Sequence, residues 1–253
     1  GSILVNGTSS TYAGYYQPTT VNYSTTTGNI TILGNTGGSS YHAVLLGGGN
    51  ITTTTGNVSI QGNQTGTGYD GVYFYSGTTN ITTAGGSVTV NGTAVSGHGI
   101  YSDGIVSINT TQGSGGITII GTSTSQLGIY EYSNDSLASG SGAISVTGTS
   151  GGGSQGIYFH QGIVSTTTGN ITLTGTSSSA TGLDIGRDTN VANITSTSGN
   201  ITLTGHTTSG TYGIYYAGTN ISSAGNISLI SDATLLINAN VAVSGAGNAL
   251  LFK

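Results

Sequence analysis

A seven-residue stretch, Gly169-Asn170-Ile171-Thr172-Leu173-Thr174-Gly175, recurs along the whole chain and limits what it can fold into. Close copies start at Gly28, Gly56, Gly199 and Gly225, and looser ones at Gly1, Gly86, Gly115 and Gly142. The nine starts are spaced by 27, 28, 30, 29, 27, 27, 30 and 26 residues, and the units account for all 253 positions. A fixed period of this size is the signature of a stacked repeat, in which each unit buries its apolar side only against its neighbours. The chain begins and ends in step with the repeat, as expected of a segment of a longer protein.

Within a unit the residues alternate. In Asn170-Ile171-Thr172-Leu173-Thr174 the apolar side chains fall at every second position, the pattern of a half-buried strand. The same inward pair recurs as Ile3/Val5, Ile30/Ile32, Val58/Ile60, Val88/Val90, Ile117/Ile119, Ile144/Val146, Ile201/Leu203 and Ile227/Leu229. A second piece reads Gly-Ile-Tyr, as at Gly99-Ile100-Tyr101 and Gly128-Ile129-Tyr130. A third, weaker piece reads Asn-Ile-Thr-Thr, as at 50–53 and 80–83. Three short strands separated by turn residues leave both edges unpaired unless the next unit stacks on them. The expected fold is all-β: one right-handed parallel β-helix (β-solenoid) domain over 1–253. It has about nine coils of about 28 residues, three strands per coil, and a rise of about 4.8 Å per coil. Pro18 falls between strands, where no ladder bond is lost. The last unit lacks Gly-Ile-Tyr and carries Leu235-Leu236-Ile237, Val241-Ala242-Val243 and Ala249-Leu250-Leu251-Phe252 instead, as either a cap or a differently spaced region.

Charge and composition exclude several functions. Arg187 and Lys253 are the only cationic residues besides four histidines, and the net charge is −5. Nucleic acid is therefore a poor partner. With no cysteine, disulfides and thiolate metal sites are excluded. No run of about 18 apolar residues is present, so no membrane insertion is expected.

Candidate sites are few. The acids Asp70, Asp103, Glu131, Asp135, Asp184, Asp188 and Asp232 read as solvated loop or turn residues, with no strand carrying two carboxylates. His42, His98, His160 and His206 lie in four different coils at different places in the unit. No metal site, cofactor or catalytic residue is expected, and the chain is not read as an enzyme. The Asn-x-Thr/Ser triplets read as turn formers whose side chains bond from coil to coil. The most informative surface feature is an outward column of Tyr16, Leu45, Tyr73, Tyr101, Tyr130, Tyr158, Asp184 and Tyr215. Its tyrosines (Tyr16, Tyr73, Tyr101, Tyr130, Tyr158 and Tyr215) form a candidate exposed binding stripe, or simply support one another by stacking.

The Gly-Asn-Ile-Thr-Leu-Thr-Gly units, rich in Ser, Thr, Asn and Gly and free of cysteine, resemble the repeat regions of filamentous-haemagglutinin-like exoproteins of two-partner secretion and of autotransporter passengers. That resemblance implies a secreted, extracellular adhesin or stalk at a bacterial cell surface. Its expected partners are glycans, a host or neighbouring cell surface, or further copies of itself end to end. The alternatives are a self-assembling filament subunit and a polysaccharide-binding or -cleaving β-helix.

Overall fold

A computed structural model describes residues 1–188 and 191–253. Among the described residues every regular element is a strand, and every strand pairing is parallel. The repeating stretch builds a ten-stranded sheet that starts with Ile3–Ser9, Ile30–Thr36 and Val58–Gln64 and ends with Ile227–Ser231 and Leu250–Phe252. The other two pieces of each coil share a 16-stranded sheet. They are joined because Ile129–Ser139 and Ile157–Thr166 run without a break from the second face into the third.

The register is the one the period demands. Ile30 pairs with Val58, Val58 with Val88, and Val88 with Ile117. Each of the four is at most 1% exposed, so they form one interior file. Burying an aliphatic side chain of this kind stabilises by about 1.5–3 kcal/mol, and a second inward position per strand doubles the file with Ile32, Ile60 and Val90.

The punctuation residues also stack. A Cβ built on Gly115 would lie 1.8 Å from the carbonyl oxygen of Gly86, and one on Gly86 equally close to that of Gly56. Glycine is required at this corner because adjacent coils bring backbone onto backbone. Just before the corner an inward hydroxyl ties the turn: Thr83 Oγ1 donates to the Gly86 carbonyl at 2.6 Å, and Thr166 Oγ1 to that of Gly169 at 2.7 Å. The motif Thr/Ser-x-x-Gly is therefore a corner clasp, with both partners dictated by geometry.

Asparagine side chains link the coils on the outside, as the sequence suggests. Asn29 Oδ1 accepts the backbone N–H of Asn57 at 2.9 Å, and Asn57 Oδ1 that of Ser87 at 2.8 Å. Asn170, Asn200 and Asn226 continue the device through the C-terminal coils. Asn57→Ala removes one such exposed bond and is expected to cost about 1 kcal/mol, measurable by urea denaturation of variant and parent.

The atypical last unit continues the solenoid as a tighter turn. Leu235 lies over Ile214, Val241 over Ile221 and Leu250 over Ile227. Asn226 and Ala249 meet across only 23 residues. This unit is not a closed cap: Leu250, Leu251 and Phe252 are exposed.

Candidate functional site

Parallel register carries Tyr16 onto Leu45, then Tyr73, Tyr101, Tyr130, Tyr158, Asp184 and Tyr215 in one outward file. The file is not evenly exposed, which corrects the picture of a uniform stripe. Tyr16 stands out in solvent at 61% exposure and Tyr73, Tyr101, Tyr130 and Tyr215 are half-buried, but Leu45, Tyr158 and Asp184 are buried. The corner after Ile185 folds back over Tyr158 and Asp184. There Asp188 takes the Tyr158 hydroxyl proton in a hydrogen bond, and Arg187 Nε reaches Asp184 Oδ2 at 2.7 Å. The Arg187 guanidinium also lies 4.0 Å from the centroid of Tyr215, a cation–π contact.

In the middle of the file the rings stack on one another. Tyr73 and Tyr101 are parallel within 4° at 5.0 Å, and Tyr101 and Tyr130 within 20° at 5.1 Å; the run breaks at Tyr130–Tyr158, where the rings meet edge to face. Most of each ring face is thus covered by its neighbour, and the file offers edges and hydroxyls. A second rank widens the surface. Tyr75 and Tyr132 are exposed beside the file, each packed against its tyrosine, and Tyr132 also stacks on His160.

Three residues before each outward tyrosine position lies another file, which the sequence reading missed. His42, Asp70 and His98 occupy successive coils there. Asp70 Oδ2 is 3.0 Å from His42 Nδ1, and Asp70 Oδ1 is 2.9 Å from His98 Nδ1 and accepts the His98 backbone N–H at 2.7 Å. Asp70 is buried, contrary to its reading as a solvated loop acid. Burial pushes its carboxyl up, but hydrogen bonds to His42 and His98 outweigh that and hold it below the ordinary carboxylate range. The two imidazoles, Asp70 and Tyr69, Tyr73 and Tyr101 border an open depression of ≈ 430 Å³. A second depression of ≈ 330 Å³, bounded by Leu127, Tyr130, Gln155, Tyr158, Arg187 and Asp188, follows it along the same face.

Other acids also depart from the expectation of solvated loops. Asp184 is 0% exposed, and burial outweighs the pull of Arg187, leaving its carboxyl above the ordinary range. Glu131 and Asp135 lie on one strand, where no strand was expected to carry two carboxylates, and both face the core. Their strand shifts register between Glu131 and Asn134. Beyond the bulge Asp135 is again inward, and its Oδ1 accepts the Val106 N–H at 2.6 Å. Burial raises the carboxyl of Glu131, and burial together with the charge of Glu131 raises that of Asp135 well above the usual value.

Among the described residues no group of three His, Asp or Glu side chains is arranged to hold a metal ion, and no helix is long and apolar enough to cross a membrane. What the face can do chemically is offer tyrosine edges, hydroxyls and two oriented imidazoles along several coils. Comparison with protein families, with curated proteins and with solved structures returned no match, so what places the chain is its parallel β-solenoid fold.

Proposed function

We propose that this chain is a structural and adhesive rod segment of a secreted bacterial surface protein, of the filamentous-haemagglutinin-like kind its repeats resemble. Its contact surface is the second face. The observation that carries this reading is the file of stacked tyrosines, flanked by exposed Tyr75 and Tyr132, on a scaffold whose backbone ladder runs unbroken from coil to coil. A rigid repeat of this kind sets many weak contacts at fixed spacing, and their sum gives avidity without a deep pocket. Glycans or glycan-coated cell surfaces are the partners that suit tyrosine edges and hydroxyls. The function is binding and reach rather than turnover, at an extracellular location.

The test is attachment of the chain, displayed at high density on beads, to immobilised glycans and to cells. Changing Tyr75 and Tyr132 to Ser leaves the coil interior untouched and is expected to lower attachment roughly tenfold. Equal attachment by parent and variant would reject this face as the contact surface. Turnover of a polysaccharide that disappears in Asp184→Asn would instead favour the carbohydrate-cleaving alternative.

A further inference from the structure

The bridging position of Asp70 between two imidazoles has a chemical consequence. An ionised carboxylate has only lone pairs to offer, so a ring nitrogen 2.9–3.0 Å away must bring the proton. Both His42 and His98 therefore carry hydrogen on Nδ1. The backbone N–H of Asp70 also approaches His42 Nδ1, at 3.2 Å, and would demand the opposite polarity. The carboxylate contact is shorter and charge-assisted, and it decides the tautomer. The rings are clamped in place as well, His42 by Tyr69 and Tyr73, and His98 by Tyr101 and Tyr130. In the neutral ring each Nε2 then carries the lone pair, and neither makes a hydrogen bond to another described residue.

We propose that the depression between His42 and His98 binds an uncharged oligosaccharide, whose hydroxyl groups donate to the two Nε2 atoms, and that Asp70 is the positioning residue that makes both imidazoles acceptors. This deepens, and rests on, the reading of the second face as a contact surface. The two rings sit two coils apart, about 9.6 Å, so they address separate sugars of a chain laid along the rod. Tyr101 adds a hydroxyl that no described residue engages. Charge sets the class of sugar. Asp70 lies in the depression and Asp103 accepts a hydrogen bond at 2.7 Å from the hydroxyl of Tyr73, which lines it, while the nearest guanidinium, Arg187, is tied to Asp184 at 2.6 Å. With no Lys or Arg among the described residues that line the depression to meet a carboxylate or sulfate, acidic sugars are repelled and neutral ones admitted.

Long-range proton–nitrogen NMR correlations on the intact chain read the tautomers directly. His42 and His98 are expected in the Nδ1–H form. In Asp70→Asn the side-chain amide can donate to the rings and shift them toward Nε2–H, which a merely structural role for Asp70 would not do. The probes are maltohexaose, cellohexaose, xylohexaose and N-acetylchitohexaose, with hexagalacturonate as the acidic comparator. At least one neutral probe is expected to move both Nε2 signals, to bind roughly tenfold more weakly to Asp70→Asn, and to bind more tightly than hexagalacturonate. His98→Phe, which keeps the aromatic clamp and removes the acceptor, is expected to lose binding comparably if Asp70→Asn does not fold. Nε2–H imidazoles in the parent chain, equal binding of hexagalacturonate, or silence from every neutral probe would overturn the proposal. Bead attachment that depends on Tyr75 and Tyr132 but not on Asp70 would overturn it while leaving the adhesive reading standing.

Discussion

Gly115→Ala is expected to destabilise the solenoid by about 3 kcal/mol or more, although it adds a single methyl group. The new Cβ would meet the Gly86 carbonyl oxygen at 1.8 Å and its carbon at 2.5 Å. Both are backbone atoms held by the ladder, so no rotamer change relieves the clash. The same corner recurs above and below: Gly142 stands 2.1 Å over Gly115 and Gly169 2.0 Å over Gly142, measured in the same way. Moving one coil aside therefore opens the pairing on both sides, where Val88 meets Ile117 and Ile117 meets Ile144. Gly153→Ala is the matched control, since the nearest atom there is the Ser179 hydroxyl at 3.6 Å; it is expected to stay within about 0.5 kcal/mol of the parent. Because stacked repeats can open locally rather than all at once, hydrogen exchange at the amides of Val88, Ile117 and Ile144 should accompany denaturant melts. Equal stabilities for the two variants would mean the corner glycines are there for turn conformation, not for closeness of the coils.

The same corner explains how much of this molecule is legible from residues alone. A period that survives nine units fixes which side chains lie over which, so the interior file of Ile30, Val58 and Val88 follows from counting. Counting fails where the anchor is wrong. Measured from the glycine that opens each unit, His42 and Asp70 lie 14 residues on but His98 only 12, because the first corner varies in length. Measured from the aliphatic-Tyr pair of the second face, all three sit three residues before the outward position, and the bridge between them is visible. Glu131 shows a different failure. Alternation through Ile129 and Tyr130 already places it inward, but the cost of burying a carboxylate argued for a loop, and here the pattern outweighed the charge. Asp184 and Tyr158 point outward as alternation requires. They are buried because the Arg187 corner lies on top of them: Arg187 covers Asp184 from three residues along the chain, while Asp188 reaches Tyr158 across 30 residues, with no local signal.

Glu131 and Asp135 yield the second large effect, and its sign is opposite to that of ordinary acid denaturation. The pair faces Phe74, Ile100, Val106, Ile108, Leu137 and Phe159, with no cation among the described residues that line this space. Glu131 Oε2 and Asp135 Oδ2 have no protein hydrogen-bond partner. Both carboxyls are raised by burial, and that of Asp135 also by its neighbour's charge, above the value near 4 that they hold in the unfolded chain. Folding therefore favours their protonated forms. Their contribution to stability is complete below about pH 4 and is lost as pH rises through the raised folded values. Asp70 works in the other direction: its lowered carboxyl contributes above about pH 4 and is lost as pH falls further. Between mild acid and neutrality the Glu131–Asp135 pair dominates, and the parent chain is expected to grow less stable as pH rises. Glu131→Gln keeps the shape and hydrogen-bonding capacity but removes one charge. It should stabilise the chain at neutral pH by roughly 1–3 kcal/mol, with little gain in mild acid. Denaturation midpoints of parent, Glu131→Gln and the double variant with Asp135→Asn, measured from pH 4.5 to pH 7.5 in steps of about half a unit, decide the matter. The double variant should lose most of that fall, the remainder belonging to Asp184, whose carboxyl is also raised. A parent whose stability rises with pH there, or a Glu131→Gln gain that is the same at both ends, would show that folding does not favour the protonated forms of these two carboxyls.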